Sequence, residues 1–177
     1  MSHYKFTRRG GLALFSDFAW PLPAAGRAGA WVEVSGPLQP CRHGLHVCRR
    51  EDLPYWLHDQ LWQVEVEGPS LPAHDGQVVG RARLLRPVDA WPDVQRSFAD
   101  QCVARVEERS GRGHTDARLQ AYLSAASQCA QGGNVLVAAY ASALAFTCFA
   151  PPEQADAAFR AERRQQALLL SAALQLE

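Results

Sequence analysis

Trp62-Gln63-Val64-Glu65-Val66-Glu67 decides how this chain folds, because apolar and polar residues alternate along it without a break. Side chains two apart share a strand face, so Trp62, Val64 and Val66 point to a core and Glu65 and Glu67 to solvent. The pattern predicts a half-buried strand stopped by Gly68-Pro69. Residues 77–88 read as its partner, ended around Pro87, with Arg81 and Arg83 sharing a face with Val79 and Leu85. Asp75-Gly76 is a turn signal between the two, which predicts a hairpin with a longish loop. Residues 4–6, 12–15, 30–34 and 45–48 are shorter strand candidates. Residues 52–57 predict a short helical segment with Asp52 near its cap and Pro54 in its first turn.

Near Trp91 the chain changes character. Alanine, leucine, glutamine and arginine then dominate, and these favour helix. Residues 92–108 carry Phe98, Cys102, Val103 and Val106 at helical spacing. Thr115 or Asp116 caps a second helix with the face Leu119, Tyr122, Leu123, Ala126 and Cys129. Asn134 caps a third, whose Ala138, Ala139, Ala141, Ser142, Ala143 and Ala145 let neighbouring helices approach closely. Pro151-Pro152 opens a fourth, with Phe159, Gln166, Leu169, Leu170, Ala173 and Leu174 on or near one face. The expected fold is α+β. A small antiparallel sheet over residues 1–89 packs against a bundle of about four helices over 90–177, the two sharing one core.

Composition bounds the function classes. With 47% hydrophobic and 20% charged residues, the chain is of soluble globular type. Lys+Arg and Asp+Glu balance at 18 each, so no field steers it toward nucleic acid or an anionic membrane. Lys5 is the sole lysine and the remaining basic residues are arginines, a bias that suits a GC-rich bacterial genome. Residues 135–150 are apolar but interrupted by Tyr140, Ser142 and Thr147, which fits a buried helix and not a membrane span. No apolar run follows the first residues, so no secretory signal is expected. Five cysteines, three of them on predicted helices, argue against a disulfide framework and for a cytoplasmic location.

The chemistry concentrates in Cys41-Arg42-His43-Gly44-Leu45-His46-Val47-Cys48. On a strand, His46 and Cys48 share one face and Leu45 and Val47 the other. Gly44 supplies a turn that can fold Cys41 and His43 back toward His46. Four uses stay open. A zinc site needs a tetrahedral set, yet there is no second knuckle, and a fourth ligand must come from His58, His74 or Glu65; no metal and no cofactor are therefore expected. A nucleophile would be Cys41 or Cys48, activated by His43 or His46 beside Arg42, Arg49 and Arg50. In a purely structural turn, the cysteines are small buried hydrophobes. In a ligand pocket, His46 binds a small molecule without metal.

Glu33, Glu65 and Glu67 read as outward strand residues, with Glu65 a general acid or base where its face lines a cleft. Arg81 and Arg83 either pair across the hairpin with Glu65 and Glu67 or meet an anionic ligand. Trp20, Trp31, Trp56, Trp62 and Trp91 are mainly core residues, one or two of them lining a pocket for a flat ligand. Arg160, Arg163 and Arg164, with Glu162 nearby, read as a solvated helix face. Dinucleotide, phosphate-loop, zincin and serine-hydrolase signatures are absent.

The run Trp31-Val32-Glu33, Gly36-Pro37-Leu38, Cys41-x-x-Gly44-x-His46-x-Cys48, then residues 52–57 and Leu61-Trp62-x-Val64-Glu65, resembles a group of uncharacterised proteins of actinobacteria and their phages. Its Cys-x-x-Gly-x-His-x-Cys element also resembles a wider domain family of unknown function. The resemblance covers most of the chain and implies one contiguous α+β protein of a high-GC bacterium; it implies no activity. The expected function is a small enzyme or ligand-binding protein with its site at the sheet–helix junction. His46, Cys48, Cys41 and Glu65 are its candidate catalytic residues, and His43, Trp56, Trp62 and Arg83 its candidate ligand contacts. The alternative is a non-enzymatic interaction or immunity-type accessory protein that uses the helical half to bind a protein partner or a second copy.

Overall fold

Five strands form one antiparallel sheet: β1 (His3–Thr7), β2 (Val32–Glu33), β3 (Leu45–Val47), β4 (Gln60–Ala73) and β5 (Gly76–Pro87). The computed structural model describes residues 2–111 and 116–176. Strand β4 lies between β1 and β5, and the far edge of β5 carries β2 opposite Arg81 and Ala82 and β3 opposite residues 77–79. Cys48, directly after β3, exchanges both backbone hydrogen bonds with Tyr4 on β1, at 2.8 Å each. The sheet therefore curls until it meets itself at that pair.

The alternation at Trp62 folds as expected. Trp62 and Val64 are buried with Trp20, Leu45, Val47, Val79, Ala82 and Leu84, and Val66 packs against that cluster. Two expectations need correction. Gly68-Pro69 does not stop β4; a bulge between Glu67 and Ser70 absorbs the proline, which lacks an N–H for the ladder, and pairing resumes. The longish hairpin loop is instead a tight turn at His74 and Asp75, because Ala73 already pairs with Gly76. Residues 12–15 are not a strand, and Leu12 makes only isolated bridges to Arg8 and Ala19. Asp52 does serve the predicted short segment, a 3₁₀ turn over Arg50–Tyr55. It accepts the Arg49 backbone N–H at 2.9 Å and holds the Arg49 guanidinium.

The helical part contains α1 (Trp91–Ser110), α2 (Ala117–Gln131), α3 (Val135–Thr147) and α4 (Ala155–Ala173). Asp116 caps α2 by accepting from the backbone N–H groups of Arg118 and Leu119; Thr115, the other candidate, lies outside the described residues. Asn134 caps α3 through Val137 N–H. The small residues expected to permit close approach, Ala138 to Ala145, are buried except Tyr140 and Leu144, and α3 packs against both α2 and α4. Val106, Leu119 and Ala145 form a core cluster.

The solvated face expected at Arg160 to Arg164 is corrected in part. Arg160 and Arg164 are exposed, but Glu162 and Arg163 are buried. They continue the stripe of Gln166, Ala167, Leu170 and Leu174 toward the helix start at spacings of three and four. Burial is compensated by pairing: Arg105 grips Glu162 with two bonds at 3.0 and 2.9 Å. Arg163 donates to Gln166, which donates on to the Ala139 carbonyl, each at 2.9 Å.

The chain divides into a β unit that runs to Pro92 and also holds Leu176, and a helical unit, Asp93–Gln175, whose start lies a few residues after the boundary expected from composition. Trp91 belongs to the β unit, fully buried, with its ring centre 5.2 Å from that of Phe6 in an edge-to-face contact and its indole N–H on the His58 carbonyl. All five cysteines are free thiols. Among the described residues no helix is long and apolar enough to cross a membrane.

Candidate functional site

The turn before β3 builds the site. Gln39 and His43 pair across a tight loop, with His43 N–H and Arg42 N–H both on the Gln39 carbonyl. Cys41 sits at its tip with φ +62°, a left-handed conformation that residues with a Cβ seldom adopt. That conformation turns the Cys41 backbone N–H onto Nε2 of His46 at 3.2 Å. Gly44 is required at the loop's exit. Its φ is +130°, and a Cβ there would lie 2.2 Å from Val78 Cγ1. His46 thus accepts at Nε2 and carries its proton on Nδ1. Burial, and then the charge of Lys5, hold its pKa below the ordinary histidine value, so the ring is neutral at pH 7.

His46 opens into a cavity of about 720 Å³. Cys41, His46, Cys48 and Trp56 from the predicted set line it, and so does Leu45, which the two-residue repeat put on the other face. The ring of His46 lies 6.2 Å from that of Trp56, whose indole N–H is tied to the Asp75 carbonyl. Burial raises the Cys48 pKa far above the ordinary range, so this group is a thiol and not a thiolate. Among the described residues no group of three or more His, Cys, Asp or Glu side chains is placed to hold a metal ion.

The other named residues lie elsewhere. Glu65 pairs with Arg83 at 2.6 Å directly across the hairpin, and Glu67 pairs with Arg81, as the β4–β5 register dictates. Both arginines stack on Trp31, at 4.3 and 4.5 Å from the ring centre. Trp62 is buried with its N–H on the Thr7 hydroxyl, and His43 bonds the Ser35 carbonyl at 2.8 Å. None of these four, Glu65, Arg83, Trp62 and His43, lines the cavity.

Three contributors escaped the sequence reading of the site. Lys5, between Tyr4 and Phe6 on β1, reaches into the cavity wall. Its amine donates to the His46 carbonyl at 2.7 Å and sits 5.0 Å above the Trp20 ring. Burial lowers its pKa to about 8. The loop after β1 supplies Phe15 and Phe18, pinned where Arg8 donates to the carbonyls of Ala13 and Ser16. Phe15 is 87% exposed, yet its ring meets Trp56 edge-on at 6.0 Å; Phe18 meets Trp20 in the same way at 5.7 Å. A single lysine was visible in the composition, but its strand neighbours gave no hint of a cavity. The loop residues follow no period that could have marked them. Comparison with family models, with curated proteins and with solved structures finds no match for this chain.

Proposed function

We propose that the β unit is a small-molecule binding module whose cavity takes a flat, mainly apolar ligand between Trp20 and Trp56. The observation that carries this is the cavity itself. Its size falls in the range of drug-sized ligand sites, and its walls are aromatic and aliphatic with a few convergent polar groups. Exposed Phe15 and Phe18 at its lining are large apolar side chains in contact with water, which a bound ligand would cover. Neutral His46 offers Nδ1–H as a donor.

Binding fits the arrangement better than covalent catalysis by cysteine. Cys48 is held as a thiol, and Glu65, the expected acid or base, is occupied by Arg83. The reading as an interaction protein has less support: Val137, Tyr140 and Leu168 are exposed on the helical unit, but these side chains alone specify no partner. Screening flat aromatic fragments by ligand-observed NMR tests the proposal. Hits should compete with one another and disappear with Trp56→Ala, while Trp56→Phe and Glu65→Ala retain them. Absence of competing hits, or hits that survive Trp56→Ala in a protein with native near-UV dichroism, refutes it.

A further inference from the structure

Resting on that reading of the cavity, we propose that its ligand is an organic acid with a flat apolar body, whose anionic group is held by the Lys5 amine. Lys5 is the chain's one lysine, and it lines an otherwise largely apolar cavity. Lys5 is half-buried, and a cation partly withdrawn from water gains from an opposite charge or further hydrogen bonds. Lys5 has three donors, and among the described residues their protein acceptor is the His46 carbonyl. Trp20 adds the face of its ring. Among the described residues no carboxylate forms an ion pair with Lys5. Glu33, the acidic residue of the lining, turns instead to Arg81 at 3.7 Å.

The remaining charged or titratable groups of the lining do not supply an anion either. Arg42 is a second cation, exposed on the turn, and His46 is neutral. Cys48 is protonated, and Asp52 and Asp75 act on it from nearby. The lining therefore carries excess positive charge, and among the described residues the His46 carbonyl is the protein acceptor for the three Lys5 donors, so a ligand in place of water can take the others. An anion there completes the set that the protein leaves open. A charge-assisted bond of this kind corresponds to roughly 10- to 100-fold in affinity.

The sole lysine makes the test direct. Protein labelled with ¹³Cε-lysine gives one lysine resonance, and its titration midpoint is compared free, with naphthalene-2-carboxylate and with the neutral naphthalene-2-carboxamide. Saturation with the acid should move the midpoint upward from about 8, and saturation with the amide should not. By calorimetry at pH 7 the acid should bind at least roughly 10-fold tighter than the amide. That preference should vanish with Lys5→Met and survive in Lys5→Arg. In the wild type alone it should fade as the pH rises above the free midpoint, since arginine does not titrate there. Equal binding of acid and amide with an unmoved lysine midpoint overturns the inference and leaves the cavity reading intact. No binding of either probe overturns both.

Discussion

Gly44→Ala is the sharpest test of how the site is built. A Cβ at Gly44 would lie 2.2 Å from Val78 Cγ1 and 3.2 Å from Leu38 Cδ2. Val78 cannot yield easily: it is fully buried and held in the ladder between His46 and Leu71. Overpacking of this kind costs about 1–3 kcal/mol. The backbone at φ +130° adds about 1–3 kcal/mol of strain for a residue with a side chain. The sum is about 2–6 kcal/mol, and at a urea slope of about 1–3 kcal/mol/M the midpoint should fall by ~0.7 M or more. Gly68→Ala is the control, because Gly68 also has positive φ, +80°, but nothing stands within 4 Å of its Cβ position. It should show the strain alone. The assay is intrinsic fluorescence during urea unfolding, since all five tryptophans lie at or before Trp91 and so report on the β unit. If Gly44→Ala unfolds no earlier than Gly68→Ala, the close packing of this turn on β5 is refuted.

The half-buried Lys5 amine and the buried Cys48 thiol predict a pH signature of stability. The folded-state pKa of Lys5, about 8, lies below its ordinary 10.5, so the cost of burying its charge is full below pH 8. That cost is relieved as the pH rises from about 8 to 10.5, because the unfolded chain then binds more protons, and this adds on the order of 3 kcal/mol. Cys48 opposes it: its raised pKa means that stability is lost as the pH climbs past 9, where only the unfolded thiol ionises. Cys48→Ala should therefore steepen the rise and Lys5→Met should abolish it; urea midpoints at pH 7 and 9.5 that move in parallel for all three proteins would refute the assignment. At pH 7, Cys48→Ala itself should cost only on the order of 1 kcal/mol. In the helical unit, Glu162→Ala strands the Arg105 guanidinium, about one-third exposed, and should destabilise by about 1–3 kcal/mol, whereas the exposed pair partner Asp156→Ala should change the midpoint by less than about 0.5 kcal/mol. Equal effects in helical dichroism during urea unfolding would contradict that ranking.

Much of the fold was legible because it rests on local periodicity. Trp62, Val64 and Val66 alternate, so their strand and its inward face follow from the two-residue repeat alone. The hairpin reading put Arg81 and Arg83 across from Glu65 and Glu67 as a group; the tight turn and the bulge after Glu67 set the actual pairs, Glu65 with Arg83 and Glu67 with Arg81. Asp116 and Asn134 stand where helix caps must stand, and the caps form there. Tertiary structure alone decided where these elements meet. Nothing local indicates that Tyr4 pairs with Cys48 and so curls the sheet, or that Lys5, on a five-residue strand, then comes to donate to the carbonyl of His46 forty-one positions away. Glu162 and Arg163 read as a solvated pair because charge favours water, and they are buried because Arg105 and Gln166 satisfy them from other turns and helices. Spacing along a chain reports which face a side chain takes; what that face meets depends on long-range packing, and the cavity around His46 exists only once distant segments have closed on one another.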